Sequence, residues 1–155
     1  MVAANYLKPK ESPDAWVVEV VNTMKMGDCD KLEKLLTSFF ASIPYSQRRK
    51  DDEREKERYF QYTFYLVIRM ISSFTVLIEK EQSEGRVDCI IETPMFVYIF
   101  EFKRDGSAIE ALKQIEEKGY AREYATDNRT IYLIGCNFSS KTGTIDDWKS
   151  KGKSV

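Results

Sequence analysis

The 155-residue chain contains no histidine. This absence excludes triads and general bases built on imidazole, and with them most zinc sites. Cysteine is scarce as well. Cys29, Cys89 and Cys136 are scattered and odd in number, which argues against a disulfide framework or a cysteine-rich metal site. The sequence therefore predicts a reduced, cytoplasmic protein.

Two further absences concern charge and apolar runs. The formal net charge is -1, from 24 basic and 25 acidic residues, so no overall positive field indicates nucleic-acid binding, and any phosphate binding must come from a local patch. No apolar run approaches the ~20 residues of a membrane span, and the N-terminus lacks a signal-peptide core. With 43% hydrophobic and 13% aromatic residues, the composition is sufficient for one globular domain with a core.

The sequence does contain an apolar segment that ends in charges. Residues 96–103 are almost all aromatic or β-branched, which favours a strand over a helix. Because side chains alternate along a strand, Glu101 and Lys103 are predicted on one face, with Phe100 and Phe102 on the other. A carboxylate and an amine are therefore expected side by side at the end of an apolar strand.

A second carboxylate, Asp88, lies in a short apolar run before this segment. The turn signal Thr93-Pro94 predicts a hairpin between the two runs, which would bring Asp88 opposite Glu101. Two carboxylates that close repel unless a cation lies between them, and hard oxygen ligands suit Mg²⁺ or Mn²⁺. Lys103 would then stand beside the metal as a point charge for a phosphate or a water. The alternative is an ordinary ion-pair cluster at a sheet edge.

These linked motifs resemble those of the PD-(D/E)XK nuclease superfamily: Gly-Arg-x-Asp ending at Asp88, then Glu-x-Lys from Glu101 to Lys103. The segment 114–120, QIEEKGY, looks like one branch in particular, the nuclease-like domains that usually lie C-terminal to AAA-ATPase-like domains in bacterial proteins. The resemblance spans roughly residues 57–148. It implies a restriction-endonuclease-like fold and metal-assisted hydrolysis of phosphodiesters.

The resemblance implies a set of metal ligands. Asp88 and Glu101 would hold one or two Mg²⁺ ions, or Mn²⁺, together with the backbone carbonyl of Phe102. Family members often complete the site with a glutamate on the helix before the first core strand, and Glu57 matches that position. Glu57 lies in line with the buried stripe of its predicted helix. Glu53, one turn earlier, is the reserve candidate.

The resemblance also implies contacts with substrate. Lys103 would orient the attacking water or stabilise the charge on phosphorus, and Gln114 would lie near the scissile phosphate. Lys118, four residues later on the same helix face, would contact the substrate backbone. Arg86 would neutralise a phosphate, or else pair with a nearby glutamate. Related nucleases carry a tyrosine where this chain has Lys118, so Tyr120 is interpreted as a core aromatic.

The surrounding pattern predicts the remaining elements. Two short amphipathic helices within residues 14–40 are interpreted as packing elements, with a partner-binding hairpin as the alternative. A helix from about residue 108 to 124 follows the central motif, and its small Ala108 and Ala111 would let it approach the sheet closely. Strand, helix, strand order implies a parallel pair. We predict an α/β restriction-endonuclease-like sandwich: a mixed central β-sheet of about four strands flanked by helices, with an extra N-terminal helical pair.

Residues 1–45 are assigned to an N-terminal linker and helical extension, and residues 46–155 to the nuclease-like core. The chain is either a stand-alone domain or a fragment of a longer protein. We predict a metal-dependent nuclease, or a nuclease-like domain of a larger ATPase-containing protein, that acts on nucleic acid, DNA in preference to RNA. The predicted partners are an ATPase-like domain in cis or in trans and a second copy in a homodimer. The alternative is a catalytically inactive module of the same fold that binds nucleic acid or a protein.

Overall fold

The computed structural model describes residues 13–42, 75–82, 85–139 and 141–153. Its elements, in chain order, are helices α1 (Pro13–Met26) and α2 (Cys29–Ser42), strands β1 (Thr75–Gln82), β2 (Gly85–Glu92) and β3 (Phe96–Arg104), helix α3 (Ala108–Lys118), a 3-10 helix (Tyr120–Tyr124), and strands β4 (Thr130–Ser139) and β5 (Thr144–Lys153). The predicted helix that carries Glu53 and Glu57 lies outside these described residues.

The described strands form one mixed sheet in the order β1-β2-β3-β4-β5. Strands β3 and β4 run parallel and are connected through α3, whereas the other neighbouring pairs are antiparallel. The predicted α/β class, a mixed sheet flanked by helices, is confirmed. The sheet has five described strands rather than about four. The additional strand is β5, which the sequence does not predict. The polar sequence of β5, TIDDWKSKGK, suits an edge strand that pairs with one neighbour only.

A tight turn joins β2 to β3, as the sequence predicts. The backbone N of Thr93 donates to the carbonyl oxygen of Phe96 at 2.8 Å, and the Thr93 hydroxyl accepts from the backbone N of Phe96 at 2.9 Å. Arg129 fastens this turn from outside by donating to the Thr93 carbonyl at 3.1 Å and to Glu92 at 2.9 Å. Its guanidinium also donates to Asp127 at 2.9 Å. The hairpin is therefore fixed at its closed end.

The sheet buries both faces, and β3 lies at its centre with residues 97–102 all buried. The core between the sheet and helices α1 and α2 is rich in aromatic rings, among them Phe40, Tyr98, Phe100, Phe102 and Trp148. The core between the sheet and α3 with the 3-10 helix is mainly aliphatic and contains Ile90, Val97, Ile99, Ile115 and Leu133. A polar side chain of β3 that points towards α3 therefore emerges on the aliphatic face.

Helices α1 and α2 form the predicted N-terminal pair, and they share the aromatic core with the sheet. Gly27, with φ 73°, turns the chain between them. The buried hydroxyl of Tyr98 donates to the carbonyl oxygen of Met24 at 2.6 Å, which ties the end of α1 to β3. Burial raises the pKa of the Tyr98 phenol, so this group stays a donor. None of the described helices has the length and apolar character needed to cross a bilayer.

Helix α3 begins where the sequence predicts and ends earlier. Ser107 caps its first turn, since the hydroxyl accepts from the backbone N of Glu110 at 3.1 Å. Gly119 takes the left-handed conformation, with φ 67°, and ends the α-helix at Lys118. The predicted continuation to residue 124 is therefore wrong, because a 3-10 helix follows the glycine. Tyr120 is 2% exposed in the aliphatic core.

Candidate active site

The charged end of β3 lies on the α3 side of the sheet. Glu101 alternates with the rings of Phe100 and Phe102, which belong to the opposite, aromatic core. Glu101 is only 4% exposed. Lys103 comes two residues later on the same side and is half-buried. The strand therefore places a buried carboxylate and an amine side by side, as its alternation predicts.

Gln114 of α3 joins these two charged side chains. Its Nε2 donates to Glu101 Oε1 at 2.6 Å, and its Oε1 accepts from Lys103 Nζ at 2.5 Å. A carboxylate only accepts and an ammonium only donates, so an amide, with one end of each kind, satisfies both. Hydrogen bonds to charged groups are also stronger than those between neutral groups. We call this continuous chain the Glu101–Gln114–Lys103 bridge.

Helix α3 comes close enough for this bridge because β4 offers it a glycine. Gly135 pairs with Glu101 in the parallel register of β3 and β4. A Cβ at Gly135 would lie 2.3 Å from the carbonyl oxygen of Ala108, 2.8 Å from the backbone N of Leu112 and 3.0 Å from the Cβ of Ala111. The helix backbone therefore rests on the strand backbone. Gly135 has no predicted role, although a glycine inside a strand indicates a close backbone approach.

The turn between β3 and α3 is held from the neighbouring strands. Asn137 Oδ1 accepts from the backbone N of Gly106 at 2.8 Å, and Asp147 Oδ2 accepts from the backbone N of Ala108 at 2.9 Å. Asn137 is 3% exposed, and its Nδ2 donates to Asp146 Oδ1 at 2.8 Å. None of these three polar side chains has a role predicted from the sequence, because the contacts of Asn137 and Asp147 with the turn join residues 31 and 39 positions apart.

Strand β2 carries Arg86 and Asp88, whose side chains lie outside the described residues. The backbone register of the hairpin pairs Cys89 with Phe100. One further residue along each strand, position 88 would face position 101, since antiparallel pairing keeps the same register. The backbone is thus compatible with the predicted neighbourhood of Asp88 and Glu101.

The other predicted residues occupy different places. Lys118 is exposed in the last turn of α3, one turn beyond Gln114. Phe102 buries its ring in the aromatic core on the opposite face of the sheet, so its side chain takes no part in the predicted site. The described side chains that come together are therefore Glu101, Gln114 and Lys103.

The donors at this site suit a hard cation. Glu101 offers carboxylate oxygen, a ligand type preferred by Mg²⁺ and Mn²⁺, whereas the amide oxygen of Gln114 is occupied by the Lys103 ammonium. Thiolates do not compete, because Cys89 and Cys136 belong to the aromatic core on the opposite face of the sheet. Among the described residues, no three His, Cys, Asp or Glu side chains cluster so that they could hold a metal ion. The predicted partners of Glu101 are Asp88 and Glu57.

Comparison with known proteins agrees with this geometry. A family model for the PD-(D/E)XK nuclease superfamily matches residues 55–148, which is more than half of the chain. The chain is also 32% identical, over 129 residues, to an uncharacterized protein in the vnfD 5' region of Azotobacter chroococcum mcd 1. This match covers 82% of the chain and 25% of the relative, so the chain spans about a quarter of the relative's length. The resemblance of the motifs is confirmed, and the chain belongs to the PD-(D/E)XK nuclease superfamily.

Proposed function

We propose that this chain is a metal-dependent nuclease domain that hydrolyses phosphodiester bonds in nucleic acid, with DNA preferred to RNA. The observation that carries the proposal is the Glu101–Gln114–Lys103 bridge, in which an amide holds a buried carboxylate and an ammonium together. Membership of the superfamily supports the proposal but does not establish it, because one fold serves many functions.

Mg²⁺ or Mn²⁺ would be held by Asp88 and Glu101, with Glu57 and the backbone carbonyl of Phe102 as further ligands. A bound divalent cation supplies Lewis acidity and lowers the pKa of a bound water from about 16 towards neutrality. Burial of Glu101 keeps bulk water away from one side of this position.

The chain's own residues would position the substrate. Lys103 gives one N–H to Gln114 and has further donors for a phosphate oxygen or for the attacking water. Its positive charge would stabilise the negative charge that builds up as the water oxygen bonds to phosphorus and the bond to the leaving oxygen breaks. Arg86 and Lys118 would bind neighbouring phosphates of the substrate backbone.

A cleavage assay tests this function. Labelled single- and double-stranded DNA and RNA are incubated with Mg²⁺, with Mn²⁺ and with a chelator. Asp88→Asn and Lys103→Ala are compared with Asp30→Asn and Lys113→Ala, which change exposed residues of the same types. We expect the wild type and both controls to cleave equally, Asp88→Asn to lose turnover while staying folded, and Lys103→Ala to lose ~10²–10³-fold in rate. Full metal-dependent activity of Asp88→Asn would contradict the assignment.

A second candidate is a catalytically inactive module that binds nucleic acid or docks a protein partner. Helix α1 favours it, since Val18 is 57% and Met26 is 77% exposed. Calorimetric titration with Mg²⁺ and Mn²⁺ separates the two candidates, because an inactive module that has lost its ligands binds neither. DNA binding that weakens with salt and is accompanied by no cleavage would also favour this second function.

We further propose a reducing, cytoplasmic setting and an ATPase-like partner domain in cis or in trans. The setting is supported by Cys29, Cys89 and Cys136, which are buried and form no disulfide. Burial raises the pKa of the Cys29 thiol to about 12, so this sulfur stays protonated.

The partner domain is supported by the similarity of segment 114–120 to the ATPase-associated branch. Sedimentation of the purified chain, alone and with DNA, tests whether it forms the proposed homodimer.

A further inference from the structure

Residues 105–107 alone connect the strand that carries Lys103 to the helix that carries Gln114. Asp105 adopts the left-handed conformation with φ 53°, which aspartate takes more readily than most residues because its short polar side chain can hydrogen-bond locally. Its backbone N donates to the carbonyl oxygen of Phe138 at 2.9 Å. Because this connection is so short, a displacement of residues 105–107 also displaces the first turn of α3.

Two further backbone donors, one in this segment and one at the start of α3, are held by side chains of β4 and β5. Gly106 donates to Asn137 Oδ1 at 2.8 Å, and Ala108 donates to Asp147 Oδ2 at 2.9 Å. These side chains lie 31 and 39 residues away along the chain. The start of α3 is therefore placed by β4 and β5 as well as by its own cap.

Asn137 is the buried member of this support. It pairs with Lys103 in the parallel register, and the register between β4 and β5 shifts directly after it. A shift of this kind re-aims side chains at sheet edges. The amide is fixed from both ends, because a backbone N–H only donates to Oδ1 and the Asp146 carboxylate only accepts from Nδ2.

We propose that Asn137 is a positioning residue for the nuclease centre. Through the 105–107 turn it fixes the start of α3, and through α3 it fixes Gln114 against Glu101 and Lys103. The kinetic part of this inference rests on the proposed function, whereas the structural part does not.

The bridge leaves little room for movement. Gln114 lies six residues after Ala108, about 9 Å along the helix axis, so it follows the helix start as part of one rigid element. Its hydrogen bonds are 2.5 and 2.6 Å long. A shift of about 1 Å would stretch them beyond the ~3.2 Å range of ordinary hydrogen bonds. A misplacement of that size is enough to cost ~10²-fold in rate.

The kinetic test compares Asn137→Ala with Asn128→Ala, the same change at an exposed position before β4. We expect kcat of Asn137→Ala to fall ~10- to 100-fold, with KM changed less than about twofold, because the substrate contacts remain. Asn128→Ala and Asp146→Asn should both behave as wild type, since Asp146→Asn keeps an acceptor oxygen for the Asn137 amide. Unchanged kcat in a folded Asn137→Ala would overturn the proposal.

A double variant asks whether Asn137 acts through the bridge. Gln114→Met removes the amide while keeping an unbranched side chain of similar length. Once the amide is absent, Asn137→Ala should reduce kcat no further, because residues that act through one contact are not additive. If the two losses multiply instead, Asn137 acts by another route and the proposal is wrong.

Nuclear magnetic resonance gives a readout that needs no activity. In Asn137→Ala, the side-chain amide signals of Gln114 and the ammonium signals of Lys103 should move towards solvent-exposed values, and in Asn128→Ala they should stay. If Asn137→Ala does not fold, Asp147→Ala replaces it in this experiment. Asp147 lies at a half-buried position of the edge strand, and its loss removes the hydrogen bond to the backbone N of Ala108 at the start of α3. Unmoved signals overturn the proposal. Moved signals in a protein that cuts no substrate support it and refute only the nuclease function.

Discussion

Gly135→Ala should destabilise the protein by separating α3 from β4. The added Cβ would lie 2.3 Å from the carbonyl oxygen of Ala108, which is about 1 Å inside the 3.4 Å at which ordinary contact begins. It would also lie 2.8 Å from the backbone N of Leu112. Both atoms are backbone atoms of one helix, so no side-chain rotation relieves the clash. The whole helix has to move.

The expected cost follows from this geometry. Overpacking a tight core costs ~1–3 kcal/mol, and contact with rigid backbone places Gly135→Ala at the upper end. The gain from a less flexible unfolded chain, ~0.4–1 kcal/mol, offsets part of it. We expect a net loss of about 2–2.6 kcal/mol in the free energy of unfolding, which corresponds to a melting temperature lower by roughly 4–10 °C in a chain of this length.

Urea denaturation monitored by circular dichroism measures this change. Gly152→Ala is the matched control, because its Cβ would meet only the ring edge of the half-buried Tyr132, at 3.2 Å. We expect the control to stay within about 0.5 kcal/mol of wild type. Equal stability of the two variants would refute the inference that α3 rests on the backbone of β4. Displacement of the helix should also weaken the bond between Gln114 and Lys103.

Two smaller predictions concern stability. Tyr98→Phe removes the buried hydrogen bond to the Met24 carbonyl and should lower the free energy of unfolding, measured in urea, by ~1 kcal/mol. Tyr132→Phe is the control. If Tyr98→Phe loses no more stability than this control, the hydrogen bond does not hold α1 against β3. Hydrogen bonds from Arg129 lower the pKa of Asp127 to about 2 from 3.8, so its stabilisation is complete above pH 3.8 and is lost as the pH falls through about 2. Asp127→Asn should therefore lower the melting temperature at pH 7, and the melting temperature of the variant should fall less than that of the wild type between pH 4 and 2. If the two melting temperatures fall in parallel over this range, the Asp127 carboxylate is not the source of the pH dependence.

The parts of the fold that depend on neighbouring residues could be predicted from the sequence. Alternation along residues 96–103 gave the two faces of β3, and Thr93-Pro94 gave the turn of the hairpin. Ser107, three residues before Glu110, marked the start of α3. Each signal acts over a few residues, where backbone geometry and side-chain chemistry suffice.

The contacts that the sequence leaves out depend on partners far along the chain. The small residues of α3 indicate a close approach, but no local pattern identifies Gly135 as the residue beneath them. The contacts of Asn137 and Asp147 near the start of α3 cannot be predicted without the strand pairing, because the pairing of β3 with β4 and of β4 with β5 brings these side chains there. Gly119 did carry a local signal for the helix end, because glycine commonly ends helices, but the predicted helix ran past it to residue 124.

The direction of the Gln114 amide limits which substitutions its two neighbours tolerate. Its oxygen faces an ammonium and its nitrogen faces a carboxylate, so each end tolerates one sign of charge. An acid at the position of Lys103, or a base at that of Glu101, would set like against like. Exposed Lys113 lies outside the bridge, so its replacement leaves the bridge intact, whereas replacing any one of the three bridged residues breaks at least one of its two hydrogen bonds.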